Sequence, residues 1–293
     1  MTDSTSLTWI YFITQVQYLS DDMPFLQTIF IKCPLTFNNL IFVYNISMTN
    51  EITELLKNRK STRAFSKQPI TKDLKDLIIE SAFQAPTAGN QQLYSILDIT
   101  DKELLHTLSI LCDNQPFIET AQMCLIFVAD CRRYINVYKA ANIKDIRDPG
   151  TGDLLLSIAD ACIAAQNAAI ASESLGIGSC YIGDVIENVE KMRDALHLPE
   201  YVVPACMLVF GYPLDQAKTR KKPNRFQHEA LVFENHYQDR TPQQIKEDFI
   251  TRANRNDYDF EKDIQAFCKR KYQSDFSKEM SRSANIYIND FQK

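Results

Sequence analysis

The chain has 293 residues, 45% of them hydrophobic and 24% charged, so it can bury the core of one large domain or of two modest ones. Its formal net charge is −5. This argues against a general nucleic-acid binder, because such proteins spread basic charge over a whole face. We therefore expect a soluble globular protein in which any anion site is local.

The cysteines and histidines argue against a metal site. The eight cysteines form no C-x-x-C pair, most of them lie in apolar runs, and the four histidines are scattered. We interpret the cysteines as free buried thiols in a reducing cytoplasm. No metal cofactor is expected.

The first 47 residues differ from the rest of the chain. They are aromatic-rich and nearly uncharged, but charges and prolines interrupt both apolar runs before either reaches the roughly 20 residues that span a bilayer. They also lack the basic region and cleavage site of a secretory signal. Our hypothesis is that Met48 is the natural start and that residues 1–47 are an extension outside a core of residues 48–240. We expect no association with a membrane.

Helical and strand patterns alternate after Met48, which predicts an α+β protein. Thr71 can cap a helix with an apolar stripe, and residues 152–178 predict a buried central helix because they are rich in alanine and nearly uncharged. Short apolar runs predict buried strands at 94–99, 123–130 and 204–213. The charged and aromatic residues 241–293 predict a helical excursion laid over the core.

The stretch NRKSTRAF, residues 58–65, concentrates three cations where the first helix is expected to end. In an extended segment Arg59, Ser61 and Arg63 would project from one side, whereas Lys60 would point away. Two guanidinium groups flanking a hydroxyl can clamp a phosphate. Taken alone, the stretch is better explained by the preference for basic residues at a helix C-terminus.

Three further polar patches follow along the chain. The stretch QAPTAGNQQLY (84–94) offers side-chain amides that suit the edge of a heterocycle, although such residues are commoner in plain turns. GIGSCYIGD (176–184) follows a helix instead of a strand, so it is not a dinucleotide fingerprint; its Gly183 would let a backbone amide approach a flat ligand. KTRKKPNRF (218–226) is a basic loop that on its own indicates solvated charge.

Together, in this order, the four patches resemble the FMN-dependent nitroreductase family, and within it the NADPH-preferring group of nitroreductase A and flavin reductase P. RKSTRAF looks like the family's R-R-S-x-R-x-F opening, and APTAGNQQ looks like its A-P-S-x-x-N-x-Q turn. ESLGIGSCYIGDV and the strand that ends in GYP are similar to the group's later segments. Each motif is weak singly, but the four stand in register over roughly 190 residues, a span typical of one large domain.

The resemblance implies a nitroreductase-like fold, with a mostly antiparallel sheet flanked by helices, in an interlocked homodimer that shares two FMN sites. It also implies which residues hold the cofactor. The FMN candidates are Arg59, Lys60, Ser61, Arg63, Asn90, Gln92, Tyr181, Ile182, Gly183, Lys222 and Arg225. The basic loop is one residue longer than the family pattern, which leaves open whether Lys221 or Lys222 is the contact. Arg252 and Arg255 are candidates for the NADPH 2′-phosphate.

The resemblance implies an oxidoreductase that passes hydride from NADPH through bound FMN to a nitroaromatic, quinone or flavin acceptor. The cofactor then carries the redox chemistry, so no catalytic acid or nucleophile of the protein is required. A flavin reductase is the alternative enzyme, and a flavin-binding sensor or carrier without turnover is the alternative from another class. Access of a nicotinamide to the flavin distinguishes an enzyme from a carrier.

Overall fold

The computed structural model describes residues 26–31, 42–47 and 50–292, and the chain divides into two units, residues 1–57 and 58–293. In the first unit, strands β1 (Leu26–Ile31) and β2 (Phe42–Ser47) pair antiparallel, and helix α1 (Glu51–Asn58) follows them. The hypothesis of an extension over residues 1–47 falls largely outside the described residues. The boundaries at 47 and 240 therefore stay predictions.

The described strands of the second unit form one antiparallel sheet in the order β3-β4-β6-β5. The strands are β3 (Tyr94–Asp98), β4 (Met123–Asp130), β5 (Gly178–Ile182) and β6 (Val202–Gly211). The helices described in this unit are α2 (Lys72–Phe83), α3 (Lys102–Leu111), α4 (Arg132–Ala140), α5 (Thr151–Ser174), α6 (Val189–Leu196), α7 (Asp215–Thr219), α8 (Pro242–Ala253), α9 (Phe260–Lys271) and α10 (Asp275–Asn289).

Strands β4 and β6 are apolar except for Asp130 at the end of β4, because both faces of the sheet are covered. Leu125 and Phe127 of β4 belong to the hydrophobic cluster formed with α2 and α5. Ile126 and Val128, which point the other way, belong to the cluster formed with α3 and α6. The three strands predicted from the sequence and the α+β class are confirmed.

Helix α5 is the predicted central helix. Its buried face consists mainly of alanines, which let α5 approach α2 and the sheet closely. It is also the one helix among the described residues that is long and apolar enough to cross a membrane by length and composition. The buried contacts with α2 and the sheet are those of a core helix, while Leu155, Leu156 and Ile163 remain exposed on its other side.

The C-terminal helix α10 docks on the core, as predicted for the excursion. Tyr287 is 1% exposed and belongs to a cluster that includes Tyr201 and Phe291. Asn188 N donates to Glu279 Oε1 at 3.1 Å, and Val189 N donates to Ser283 Oγ at 3.1 Å. Helix α10 therefore satisfies N–H groups at the start of α6 that have no partner within α6 itself.

Candidate functional site

The segment after α1 runs extended beside the ends of two strands. Thr62 N donates to Ser179 O at 2.9 Å, and Ser66 N donates to Tyr212 O at 2.8 Å. Phe65 forms an isolated antiparallel bridge with Pro213. Residues 59–66, called the clamp segment below, are thereby fixed as an edge of the sheet, as expected for a stretch in which alternate side chains share a side.

Two glycines allow this close approach. Gly178 of β5 and Gly211 of β6 are directly paired, and the clamp segment packs on both. A Cβ atom on Gly178 would lie 2.8 Å from Thr62 Cβ, and one on Gly211 would lie 2.8 Å from Phe65 Cγ. Neither glycine has a positive φ, so what requires them is lack of space for a side chain.

Arg59, Ser61 and Arg63 come together around the thiol of Cys180. Burial raises the pKa of Cys180, while the charge of Arg63, a hydrogen bond from Ser61 and the charge of Arg59 act to lower that pKa. The Arg63 guanidinium lies 5.8 Å from the ring centroid of Phe117. The three side chains thus lie near the same thiol.

Arg59 has donors that no described residue satisfies. Its Nε and Nη2 atoms are buried without a hydrogen-bond partner, and its guanidinium lies 6.0 Å from the ring centroid of Tyr181. Glu173 of α5 is nearby; its pKa is raised by burial, and the charges of Arg59, Lys60 and Lys222 oppose that rise. Buried guanidinium donors without partners fit a bound anion such as a phosphate, because such donors are otherwise costly to desolvate.

Lys60 joins the clamp segment to the basic loop. Its Nζ donates to Lys218 O at 2.5 Å and to Arg220 O at 2.6 Å. The alternation of side chains along a strand predicted that Lys60 points away from Arg59, Ser61 and Arg63, whereas the family resemblance predicted that Lys60 belongs to the site. The contacts give it a positioning role, since they fix where residues 218–226 leave helix α7.

Burial and the neighbouring charges favour Lys222 over Lys221 as the lysine of the basic loop that faces the site. The pKa of Lys222 is lowered by burial and by the charges of Arg225 and Arg59, and raised by that of Glu173. Lys221 is exposed. The basic loop therefore brings Lys222 and Arg225 to Arg59, a grouping of like charges that an anion would stabilise.

The amide turn is held in a strained conformation. Gly89, Asn90 and Gln92 have φ angles of 56°, 56° and 53°. A glutamine rarely adopts such an angle, and left-handed residues persist where their surroundings over-determine the backbone. The side chains of Asn90 and Gln92 are exposed at the tip of this turn.

Two residues far away in sequence fix the turn. The carboxylate of Asp160, 3% exposed on α5, accepts from Ala88 N at 2.9 Å and from Leu93 N at 3.1 Å. Arg133 Nη1 donates to Gln92 O at 2.9 Å, and its Nη2 donates to Tyr94 O at 2.7 Å. Hydrogen bonds with Asp160 and Arg133 therefore hold the amide turn at both ends.

The third patch lies at the end of β5 and just beyond it. Tyr181 Oη donates to Gln166 Oε1 of α5 at 3.2 Å, and Ile182 is buried. Gly183 is exposed, and a Cβ atom placed on it would contact nothing within 4 Å. The space above Gly183 is thus open to a ligand.

The clamp segment and the amide turn approach different parts of α5. The turn is tied to Asp160, and the clamp cations approach Glu173, which is 13 positions further along the helix. At 1.5 Å per residue, this corresponds to about 20 Å along the helix axis. The structure therefore gathers the clamp, Tyr181 and the basic loop, and leaves Asn90 and Gln92 of the same chain apart from them.

The two candidates for the NADPH phosphate differ in their surroundings. The Arg252 guanidinium lies 4.1 Å from the ring centroid of Phe226 and 4.6 Å from that of Phe249, and Asn224 Nδ2 donates to Arg252 O at 2.9 Å. Arg255 pairs with Asp263 at 2.5 Å. Arg252 thus lies beside the basic loop, whereas the charge of Arg255 is already compensated.

Comparison with known proteins fits this arrangement. Residues 56–212, more than half of the chain, match the family model described as "Nitroreductase family". The chain belongs to the nitroreductase family. The matched range contains the clamp segment, the amide turn and Gly183, while the basic loop lies beyond it.

Individual relatives in the nitroreductase family are similar over most of their length. The chain is 35% identical over 190 residues to the Bacillus subtilis protein named "FMN reductase (NADPH)", covering 64% of this chain and 75% of that one. It is 33% identical over 208 residues to the Salmonella typhimurium "Oxygen-insensitive NADPH nitroreductase", covering 68% and 83%. The solved structure of nitroreductase A from Vibrio parahaemolyticus has a TM-score of 0.65 at 29% identity, covering 70% of this chain and 85% of that one.

The residues that position the site could not be predicted from the local sequence. Asp160 and Arg133 act on a turn about 70 and 40 positions away in the chain, a distance at which local patterns carry no information. Gly178 was read only as part of a glycine-containing patch. The sequence offers one signal, a glycine at the start of GSCYI and another at the end of the last apolar run, since glycine at a strand position often marks the close approach of another segment.

Replacing Gly178 by alanine tests the packing of the clamp segment. The added methyl group would collide with Thr62, so the segment that carries Arg59 and Arg63 must shift. We expect the dissociation constant for FMN, measured by quenching of flavin fluorescence, to rise at least about tenfold, as for the loss of one charge-assisted hydrogen bond. The control is Gly152→Ala, since a Cβ atom there meets nothing within 4 Å. Equal affinities for the two variants would contradict the role of the glycine pair.

Proposed function

We propose that this chain is an FMN-dependent oxidoreductase that takes hydride from NADPH and reduces nitroaromatic, quinone or flavin acceptors. The observation that carries the proposal is the pair of buried Arg59 donors without partners, with Arg63 and Ser61 near Arg59 on one side and Lys222 and Arg225 of the basic loop on the other. A phosphate monoester matches this set because guanidinium groups bind its oxygens bidentately.

The residues assigned from the resemblance then have separate tasks. Arg59, Ser61, Arg63, Lys222 and Arg225 would hold the phosphate end of FMN. Tyr181, Gly183 and the backbone of Ile182 would lie along the ring, where the absence of a side chain on Gly183 leaves room for a flat ligand. Lys60 would act by holding the basic loop in place.

Bound FMN supplies the redox chemistry, accepting hydride from the nicotinamide and passing electrons to the second substrate. The protein needs no nucleophile for this reaction. Its contribution is to bind the phosphate, to orient the ring and to surround it with donors that favour negative charge. The described residues contain no group of three or more His, Cys, Asp or Glu side chains that could hold a metal ion.

Two alternatives share the same site. A flavin reductase would use the same bound FMN with free flavin as acceptor, and the Bacillus subtilis relative carries the name "FMN reductase (NADPH)". A sensor or carrier would bind FMN but cover its ring. Access of a nicotinamide to the bound flavin distinguishes the enzyme from the carrier, and oxidation of NADPH by the FMN-loaded protein tests it.

We also propose a homodimer in the cytoplasm, with each FMN bound between two copies and no part of the chain in a membrane. Asn90 and Gln92 are separated from the clamp of their own chain by about 20 Å along α5. The amide turn of a second copy could reach that clamp. Leu155 and Leu156 on α5 and Leu231 and Val232 after the basic loop are exposed apolar residues available to such an interface.

The phosphate assignment is tested by Arg63→Ala. We expect the affinity for FMN to fall by about 1.5–3 kcal/mol, because a charge-assisted hydrogen bond to the phosphate is lost. The affinity for riboflavin, which has no phosphate, should change little. The matched control is Lys67→Ala, which removes an exposed cation just after the clamp segment. A similar loss for both ligands would contradict the assignment to the phosphate.

The shared site is tested by mixing two defective variants. Arg63→Ala damages the clamp, and a double alanine variant of Asn90 and Gln92 damages the turn. If each site takes the clamp from one copy and the turn from the other, random mixing under exchange restores about one quarter of the FMN sites, since half of the dimers are hybrids with one intact site. Recovery of no binding in verified hybrids would mean that clamp and turn act within one chain.

The two candidate arginines should differ in their effect on the choice of nucleotide. We expect Arg252→Ala to lower the ratio of kcat/KM for NADPH over NADH, because Arg252 lies beside the basic loop. Arg255→Ala should change this ratio less, since Asp263 already compensates its charge. Steady-state kinetics with both nucleotides measure the ratios. An effect confined to Arg255 would reverse the assignment.

A further inference from the structure

The turn that follows β5 ends at a buried glutamate, Glu187. Residues Asp184–Ile186 form a 3₁₀ turn in which Ile186 N donates to Gly183 O at 3.1 Å and Glu187 N donates to Asp184 O at 3.0 Å. Val185 within this turn is fully buried. The position of Gly183 therefore depends on how this turn is held.

Glu187 is buried, and no salt bridge pairs it with a cation among the described residues. Its side chain is 4% exposed, and its Oε1 atom has no hydrogen-bond donor among the described residues. The charged groups that face it are acidic: Asp184 on the same turn, Asp113 after α3 and Glu279 on α10. A buried carboxylate in such surroundings is strongly disfavoured.

The remaining groups around Glu187 are already engaged or neutral. Gln115 Nε2 donates to Asp184 Oδ2 at 3.0 Å. Arg282 of α10 is held by Glu279 and, through both terminal nitrogens, by Glu190 of α6. Cys112 at the end of α3 also senses the charge of Glu187, and burial raises the pKa of that thiol, which keeps it neutral. The nearby arginine is therefore occupied by other carboxylates.

A single proton shared by Glu187 and Asp184 would remove the repulsion between these two carboxylates. Glu187 N donates to Asp184 O at 3.0 Å within the same turn, which keeps the two carboxyl groups close enough for one to donate to the other when a single proton is present. Burial, the charge of Asp184 and the hydrogen bond between the two side chains raise the pKa of Glu187 to about 7. If Glu187 and Asp184 were both ionised, two negative charges would lie close together in the turn that follows Gly183.

We propose that Glu187 and Asp184 share one proton that holds the turn carrying Gly183 in the conformation that receives the flavin, and that loss of this proton weakens flavin binding. This inference rests on the proposed function. Glu187 is a positioning residue in this account, because it acts through the backbone of residues 183–187 and not through contact with the ligand.

The direction of the pH effect follows from the raised pKa. The folded protein keeps the proton of Glu187 between the ordinary pKa of a glutamate, near 4.5, and about 7, whereas the unfolded chain has released it. The stability of the folded state, as far as it depends on Glu187, therefore falls as the pH rises through this window and is constant above it. If FMN prefers the protonated form, its affinity falls as the pH rises through about 7.

The test is the pH dependence of FMN binding in wild type and Glu187→Gln. Glutamine keeps the shape and cannot ionise. From pH 6 to pH 8 we expect the dissociation constant of the wild type to rise about three- to tenfold relative to that of the variant. The titration of the FMN phosphate is common to both proteins and cancels in this comparison. Glu80→Gln, which changes an exposed glutamate on α2, should follow the wild type.

A second variant and a second readout keep the outcomes distinct. Asp184→Asn removes the proton-sharing partner and should move the pH dependence to lower pH, since burial of Glu187 still opposes its ionisation. In the ligand-free protein, the urea midpoint of the wild type should fall between pH 5 and pH 7 relative to that of Glu187→Gln. If wild type and Glu187→Gln bind FMN with parallel pH profiles, the inference is overturned and the proposed function stands. If the wild type binds no FMN at pH 6, the proposed function itself fails.

Discussion

The site depends on the close packing of the clamp segment against two glycines of the sheet. The clamp segment lies against the sheet at the paired glycines Gly178 and Gly211, where neither strand has a side chain to keep it away. This packing fixes the path of the segment: Thr62 and Phe65 lie against the two glycines, and Arg59, Ser61 and Arg63 lie near Cys180. Without it, three cations in an acidic protein would be no more than a favourable helix end.

Helix α5 organises the rest of the arrangement. Asp160 holds the amide turn, Gln166 holds the hydroxyl of Tyr181, and Glu173 lies among the clamp cations. A helix packed through alanines against the sheet is a rigid support, so the relative positions of these groups are set by core packing. Its length also keeps the turn and the clamp of one chain apart, which is why a site completed by a second copy is the simplest proposal.

The sequence predicted the architecture well where the signal was local. The buried strands were visible as continuous apolar runs because both faces of the sheet are covered, and the central helix was visible because it is apolar on nearly every side. The cap by Thr71 was also predicted, and its hydroxyl accepts from Leu74 N at 3.4 Å. The family was predicted from four motifs in register and is confirmed.

The sequence motifs indicated the candidate cofactor residues themselves. The residues that hold them, such as Asp160, Arg133 and Gly211, act across the fold, and neither spacing nor residue type marks them. Lys60 was ambiguous because its role depends on carbonyl groups more than 150 positions away. Glu187 was not singled out, since a single glutamate in a turn has no local feature that predicts burial among other acids.

The measurement that tests the account most directly is anaerobic reduction of the purified protein by NADPH. We expect a yellow protein whose bound FMN spectrum bleaches on addition of NADPH and returns when a nitroaromatic or quinone is added. A protein that carries no FMN after incubation with it, or one whose bound FMN keeps its oxidised spectrum in NADPH, would contradict the account.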